Sequence, residues 1–303
     1  MKIIVYTNSL LQQYAIPHQK KTSLNNSICN LVDLCIQYEV QMNLFRRLLL
    51  PFKSYKFLLY QLSQKEIKAR YKQSFVGYAW VIVNPLAQLL VYTFVFSMIF
   101  RTVSIDVPYP LFVFAVLIPW TFLHTGITSA TNSLVANREL LKKVAFPREV
   151  IPYASVFSKV VDLVFSYLVF FLFMIFYSVP LTWSIFLFIP LFISQFILTT
   201  AIALLTSAAN LFYRDVQYLI NLILMLWMYV TPIVYPLSMV PEKYLTLYKL
   251  NPMVGLIEGY RAAFFGSEVS FSDIGWSLLS SVVLFVVAYA FFKKVEPIFA
   301  DIV

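Results

Sequence analysis

The sequence predicts an all-α membrane protein: six transmembrane helices, an N-terminal amphipathic interface helix, and re-entrant helices before the last span. Three observations predict it. The 303-residue chain is 60% hydrophobic and 12% charged, with a mean hydropathy of +0.78, so it lacks the polar side chains that coat a soluble domain of this size. Six apolar runs, at 80–100, 110–130, 153–177, 183–211, 218–235 and 274–292, match the ~20 helical residues needed to cross a hydrocarbon core of roughly 30 Å. These runs are continuous, whereas the strands of an outer-membrane barrel alternate apolar and polar residues.

Taken in chain order, residues 1–41 read as an N-terminal extension unlike the rest of the chain, and Met42, followed by "NLFRRLLLPF", reads as an alternative start. The opening "MKIIVYTNSLLQQ" has too short an apolar core for a signal peptide. Residues 42–79 form a cytoplasmic interface-helix region and 80–303 the six-span domain. Within the first of these, "YKFLLYQLSQKEIKARYKQ" sets Phe57, Leu58, Leu62, Ile67 and Ala69 among Lys65, Lys68, Arg70 and Lys72. That pattern suits an amphipathic helix lying in the headgroup plane; a solvated charged linker is the alternative.

Charge placement orients the spans. Of the 23 Lys and Arg, eleven precede Trp80, five lie from Arg138 to Lys159, Arg214 follows the fourth run, and Lys293 and Lys294 follow the sixth. Arg101, Lys243, Lys249 and Arg261 fall on the other side. By the positive-inside rule both termini are cytoplasmic, and the net charge of +9 marks a membrane face and not a nucleic-acid partner. Cys29 and Cys35 then lie in the cytoplasm, where no disulfide is expected.

Between the second and third runs, "RELLKKVAFPREVIP" concentrates charge in an apolar chain. Leu140, Leu141 and Val144 have helical spacing, Pro147 stops the helix, and Lys142, Lys143 and Arg148 gather toward the end that favours cations. A short charged helix there is either a docking knob for a soluble partner or a topogenic loop. In the third run, Lys159 stands one turn before Asp162, and the spacing predicts a local pair, with a gate or a partner contact as the alternative role of Asp162. Pro190 falls near the start of the fourth run and predicts a kink or tilt.

The outer segment 236–273 is long, and its apolar pieces are too short to cross a membrane. Within it "NPMVGLIEGYRAAFFG" predicts a helix capped by Asn251, with Pro252 at its first position and an end near Gly266. Such an element is re-entrant or interfacial. Glu258 and Arg261, three apart, can pair to order it or can meet a substrate; Gly255 and Gly259 give only a weak G-x-x-x-G dimer signal. Tyr109, Tyr177, Trp183, Tyr235 and Trp276 are expected in the interfacial belts, and most of the other aromatic rings must face lipid or neighbouring helices, with some free to line a path.

Catalytic signatures are thin. The sequence has no phosphate-binding loop and no G-x-S-x-G elbow, and its histidines, His18 and His124, form no metal set. An enzymatic role, such as a membrane-embedded glycosyl- or acyltransferase, would have to use Asp162 or Glu258, which belong to opposite sides.

The stretches "KARYKQSFVGYAWVIVNPLAQLLVYTFVF", "PYPLFVFAVLIPWTF", "LLKKVAFPREVIP", "NLFYRDVQYL", "TPIVYPLSMVPEKY" and "NPMVGLIEGYRAAFFG" together resemble the ABC type-2 permeases that export polysaccharides such as O-antigen, capsule or teichoic acid. The resemblance runs from about Phe57 to the C-terminus. It implies a homodimer in the bacterial cytoplasmic membrane that moves a lipid-linked polysaccharide and contacts membrane lipids. It further implies a separate ATPase chain that binds ATP and Mg, with no cofactor in this chain. The coupling helix that docks this ATPase would match Arg138, Glu139, Lys142, Lys143, Phe146, Pro147 and Arg148; the interface helix, Lys65, Lys68, Arg70 and Lys72; and the outer exit, Asn251, Pro252, Gly255, Glu258, Gly259 and Arg261. A permease for drugs or small lipids would share this topology.

Overall fold

The computed structural model describes residues 55–71, 77–99, 107–143, 146–268 and 270–299, all within one compact unit, Tyr55–Val303. The expected extension 1–41, the alternative start Met42, Cys29, Cys35, His18, Lys72 and Arg101 lie outside the described residues. Every regular element described is a helix. In order these are α1 (Lys56–Tyr71), α2 (Trp80–Ile99), α3 (Tyr109–Ala136), α4 (Arg138–Lys143), α5 (Val150–Phe176), α6 (Phe188–Phe212), α7 (Val216–Tyr229), α8 (Glu242–Lys249), α9 (Pro252–Phe265) and α10 (Phe271–Val295).

Four of the described segments are long and apolar enough to cross a membrane: Tyr109–Ala136, Val150–Phe176, Trp183–Phe212 and Phe271–Ile298. At 1.5 Å per residue α3 is ~42 Å long, more than a bilayer core requires. The expected first and fifth spans are shorter as apolar helices, at Ile82–Val95 and Val216–Tyr229. The fifth run ends early for a local reason. Pro232 disfavours helical backbone at Thr231, and the chain turns from Thr231 to Pro236 where the apolar run alone predicted continued helix.

Helix α3 forms the centre. Its apolar side chains are buried on all sides, from Leu111 to Leu134, as expected of a helix that is hydrophobic all round and enclosed by others. Helices α5 and α6 pack along it, α10 packs on α6, and α9 is wedged against α10, α6 and α3. Much of the aromatic content goes into this core. Phe170 of α5 meets Phe264 of α9 at 4.8 Å between ring centroids, and Tyr167 meets Phe188 edge-on at 5.0 Å. Such geometries add to the area they bury.

Small residues bring α3 and α6 together. A Cβ on Gly126 would lie 2.8 Å from Thr199 Cγ2, so the backbones approach as small-residue membrane interfaces do. Buried polar side chains on this seam are satisfied across it. The Thr131 hydroxyl bonds that of Thr206 at 2.8 Å, and the Asn210 amide donates to the Thr131 carbonyl at 3.0 Å. Further along, Gln195 donates to the Pro119 carbonyl at 2.5 Å and accepts from the Tyr260 hydroxyl at 2.6 Å, tying α6 to α3 and α9. Pro190 falls in the first turn of α6, where a missing N–H costs little, after a 3₁₀ turn at Trp183–Leu187.

Candidate functional site

Residues expected from the sequence to carry function gather at the two ends of α3. At its C-terminal end, Asn137 turns the chain into α4. The six residues of α4 bury Leu141 and expose Glu139, Lys142 and Lys143, with Lys143 paired to Glu139 at 3.1 Å on the surface. Arg138 donates to the Val135 carbonyl at 3.3 Å. Lys65 of α1 donates to the Asn137 side chain at 2.8 Å, and a hollow lined by Lys65, Asn137, Glu139, Leu140 and Lys143 separates α1 from α4. A solvent-facing charged surface on a short, well-anchored helix is thus in place.

Phe146 and Pro147 are half-buried beyond α4, and Arg148 is turned back into the protein. The Arg148 backbone N–H donates to Glu296 at 2.9 Å, its guanidinium bonds the Glu296 carbonyl, and it lies 6.0 Å from the Phe299 ring centroid. Beside it, Glu149 is 1% exposed and pairs with Lys293 at 2.7 Å; Lys293 also bonds Glu296 at 2.9 Å. Burial pushes the Glu149 carboxyl above its ordinary range, and the Lys293 ammonium only partly offsets this. These three residues, Glu149, Lys293 and Glu296, were not singled out from sequence. Glu149 stood in the quoted charged stretch, but its partners lie 144 and 147 positions on.

Helix α1 is held differently from its sequence expectation. Phe57 is 72% exposed, while Leu62 is buried and Leu58, Leu59 and Ile67 are half-buried, and polar groups join these in the contact with α5. Ser63 donates to the Ala154 carbonyl at 3.1 Å, Ser158 donates to Glu66 at 3.2 Å, and Arg70 donates to Ser158 at 2.8 Å and pairs with Asp162. The expected Lys159–Asp162 pair is therefore replaced by Arg70–Asp162, because α1 lies against α5 and presents a guanidinium to that carboxylate. Lys68 is exposed.

At the N-terminal end of α3, α9 begins and ends where its caps require. The Asn251 side chain accepts from the Met253 N–H at 3.0 Å, Pro252 follows, and Gly266 takes a left-handed φ of 68°. Asn251 also accepts from the Trp227 indole at 3.0 Å and donates to the Thr231 hydroxyl at 3.1 Å. Arg261, only 4% exposed, pairs with Glu258 at 2.7 Å, donates to the Ile233 carbonyl at 3.0 Å, and stacks 3.8 Å from the Phe112 ring centroid. The Tyr109 hydroxyl donates to the Val234 carbonyl at 2.8 Å. Together these groups hold the 231–236 turn, the ordering contact that is one of the two roles expected of the Glu258–Arg261 pair.

Gly255 and Gly259 serve packing within the chain. A Cβ at Gly255 would sit 2.3 Å from the Asp273 carbonyl oxygen, and one at Gly259 would sit 2.6 Å from Leu191. Lys249 of α8 pairs with Asp273 at 2.8 Å, and the Trp276 indole donates to the Leu250 carbonyl at 3.1 Å, closing α8 onto the start of α10.

The sequence comparisons agree with this architecture. The model of the ABC-2 type transporter family matches residues 58–265. The chain is 32% identical over 247 residues to the O-antigen export system permease protein RfbA of Klebsiella pneumoniae, covering 81% of this chain and 94% of that one. It is 32% identical over 259 residues to the protein of the same name from Myxococcus xanthus, covering 84% and 98%. The polysialic acid transport protein KpsM of Escherichia coli is 24% identical over 229 residues, covering 72% of this chain and 85% of that one. With the family match spanning most of the described helices, the chain belongs to the ABC-2 type transporter family.

Proposed function

We propose that this chain is the permease subunit of an ATP-binding cassette exporter that carries a lipid-linked polysaccharide, of the O-antigen or capsule kind, across the bacterial cytoplasmic membrane. The observation that carries the reading is the near full-length match to permeases named for O-antigen export. In this reading α2 and α7 complete a set of six spans, α1 is the interface helix, and α8 and α9 form a re-entrant pair on the outer face. Two copies enclose the path. Both termini are cytoplasmic, which places α4 where a separate ATPase, bearing ATP and Mg, docks on Glu139, Lys142 and Lys143. Burial of α9, 14 residues and ~21 Å long, supports a re-entrant position, since a helix of that length reaches only part way through a bilayer.

Energy reaches the path only if the ATPase binds one arrangement of the permease better than another. The exposed cations of α4 offer a contact that can differ between arrangements, and the Glu149–Lys293–Glu296 cluster joins that loop to the end of α10. Deleting the gene tests the substrate: long-chain glycan disappears from the cell surface while lipid-linked glycan accumulates inside. A surface unchanged in a strain with no redundant exporter rejects the glycan reading. K142E/K143E tests docking: the chain inserts normally but no longer co-purifies with its ATPase, and undiminished co-purification rejects that role for α4.

A further inference from the structure

A cavity of about 310 Å³ opens between α1, α2, α3 and α5. Its wall carries Arg70, Lys159 and Asp162, the amide of Asn84, and the rings of Trp80 and Phe122. Asp162 is already paired with Arg70. Lys159 is 9% exposed, and no carboxylate lies within ion-pair distance of it among the described residues, although Asp162 and Glu66 both act on its charge from farther off. A buried ammonium normally has a counter-ion in direct contact or a dense hydrogen-bond set, because withdrawing its charge from water is costly. Here it borders an open cavity whose lining, among the described residues, carries two cations, Arg70 and Lys159, and one carboxylate, Asp162.

We propose that this cavity binds the phosphate group of a membrane lipid, with Lys159 as its counter-ion and Asn84 as a second donor. Charge and hydrogen-bonding capacity select a phosphate oxygen. The remaining surroundings select a lipid over a free ion. Trp80 and Phe122 line the cavity, and α2 continues from it with Ile82, Val83, Leu90 and Val91 exposed, an apolar track along which acyl or isoprenoid chains can lie. Trp80 is both part of the lining and exposed, and an indole is favoured in a lipid interface. The inference concerns lipid retention and does not rest on the export reading.

The test is native mass spectrometry of the full-length chain purified in detergent, with phosphatidylglycerol, phosphatidylcholine, an isoprenoid monophosphate and inorganic phosphate as separate probes. Wild-type protein should retain phosphatidylglycerol in preference to phosphatidylcholine. K159Q should lose about ten-fold or more of that retention, as expected for removing a charge-assisted bond to phosphate. K159R should restore it, and K243Q, far along the chain, should leave it unchanged. Circular dichroism of each variant separates lost binding from lost folding. Stronger retention of the isoprenoid monophosphate than of phosphatidylglycerol identifies the lipid as a glycan carrier; the reverse identifies a bulk phospholipid. Equal retention by K159Q, no preference between the two phospholipids, or displacement by inorganic phosphate at equal concentration would overturn the proposal.

Discussion

At Gly255 the absence of a side chain is a packing requirement. The helix there presses on the Asp273 carbonyl and the Ser277 hydroxyl, at 2.3 and 2.4 Å from where a Cβ would stand. A backbone carbonyl at a helix start cannot swing aside as a flexible side chain can, so G255A should destabilise the protein by about 1–3 kcal/mol. Gly275, with nothing within 4 Å of its Cβ position, is the control. G275A should be neutral or stabilising by up to about 1 kcal/mol, because alanine is the better helix former. Thermal unfolding in detergent checks both, and equal midpoints for the two variants would remove the packing argument. Arg261 is a second such position. R261M leaves the Ile233 carbonyl without its donor and Glu258, 33% exposed, without its partner; the lost donor alone costs about 1–3 kcal/mol, read as a lowered unfolding midpoint.

Helices show which signals are legible in a sequence. The ends of α9 were legible because Asn251, Pro252 and Gly266 act through their own backbone neighbours, and local chemistry does not depend on the fold. The short α4 is legible from the helical spacing of Leu140 and Leu141 for the same reason. Helix α7 was read too long because hydropathy continues past Tyr229, while the turn that ends it depends on Pro232 and on Asn251 and Arg261 reaching from α9. Likewise the partner of Asp162 was read as Lys159, one turn away, when the fold supplies Arg70 from 92 positions earlier. Helix α1 then rests on α5 through polar contacts, and a double-mutant cycle measures their worth. With both Arg70 and Asp162 side chains 27% exposed, solvent screening holds the coupling of R70M and D162N to about 0.5–1 kcal/mol. Additive single-variant effects would show that the pair adds nothing and that buried Leu62 and the Ser63 and Glu66 contacts hold the helix.

Across the whole molecule, α3 joins two assemblies that the chain builds from distant residues: the capped α9 with its 231–236 turn at one end, and α4 with α1 and the C-terminal 3₁₀ turn Glu296–Ile298 at the other. The second assembly closes through one buried carboxylate. Glu149 is held by Lys293, and one of its oxygens has no hydrogen-bond partner, so its burial is tolerated only while the ammonium stays in place. K293M should therefore cost about 3–5 kcal/mol, the penalty of stranding a buried charge, and K293M/E149Q should recover part of it because the most deeply buried carboxylate is then neutral, with only Glu296 left without its ammonium. The pH dependence follows with a definite sign. Burial raises the folded-state affinity of Glu149 for a proton above that of the unfolded chain, and removing Lys293 raises it further. The folded K293M protein then holds a proton that the unfolded chain has released, so its deficit relative to wild type shrinks as pH falls through the raised pKa and grows as pH rises. Unfolding midpoints of the three proteins measured between mildly acidic and neutral pH decide the point. A K293M deficit that does not change with pH, or a double variant no more stable than the single, would mean that Glu149 is solvated in the folded protein and that this end is held by the Arg148–Glu296 hydrogen bonds and the aromatic contacts of Phe299.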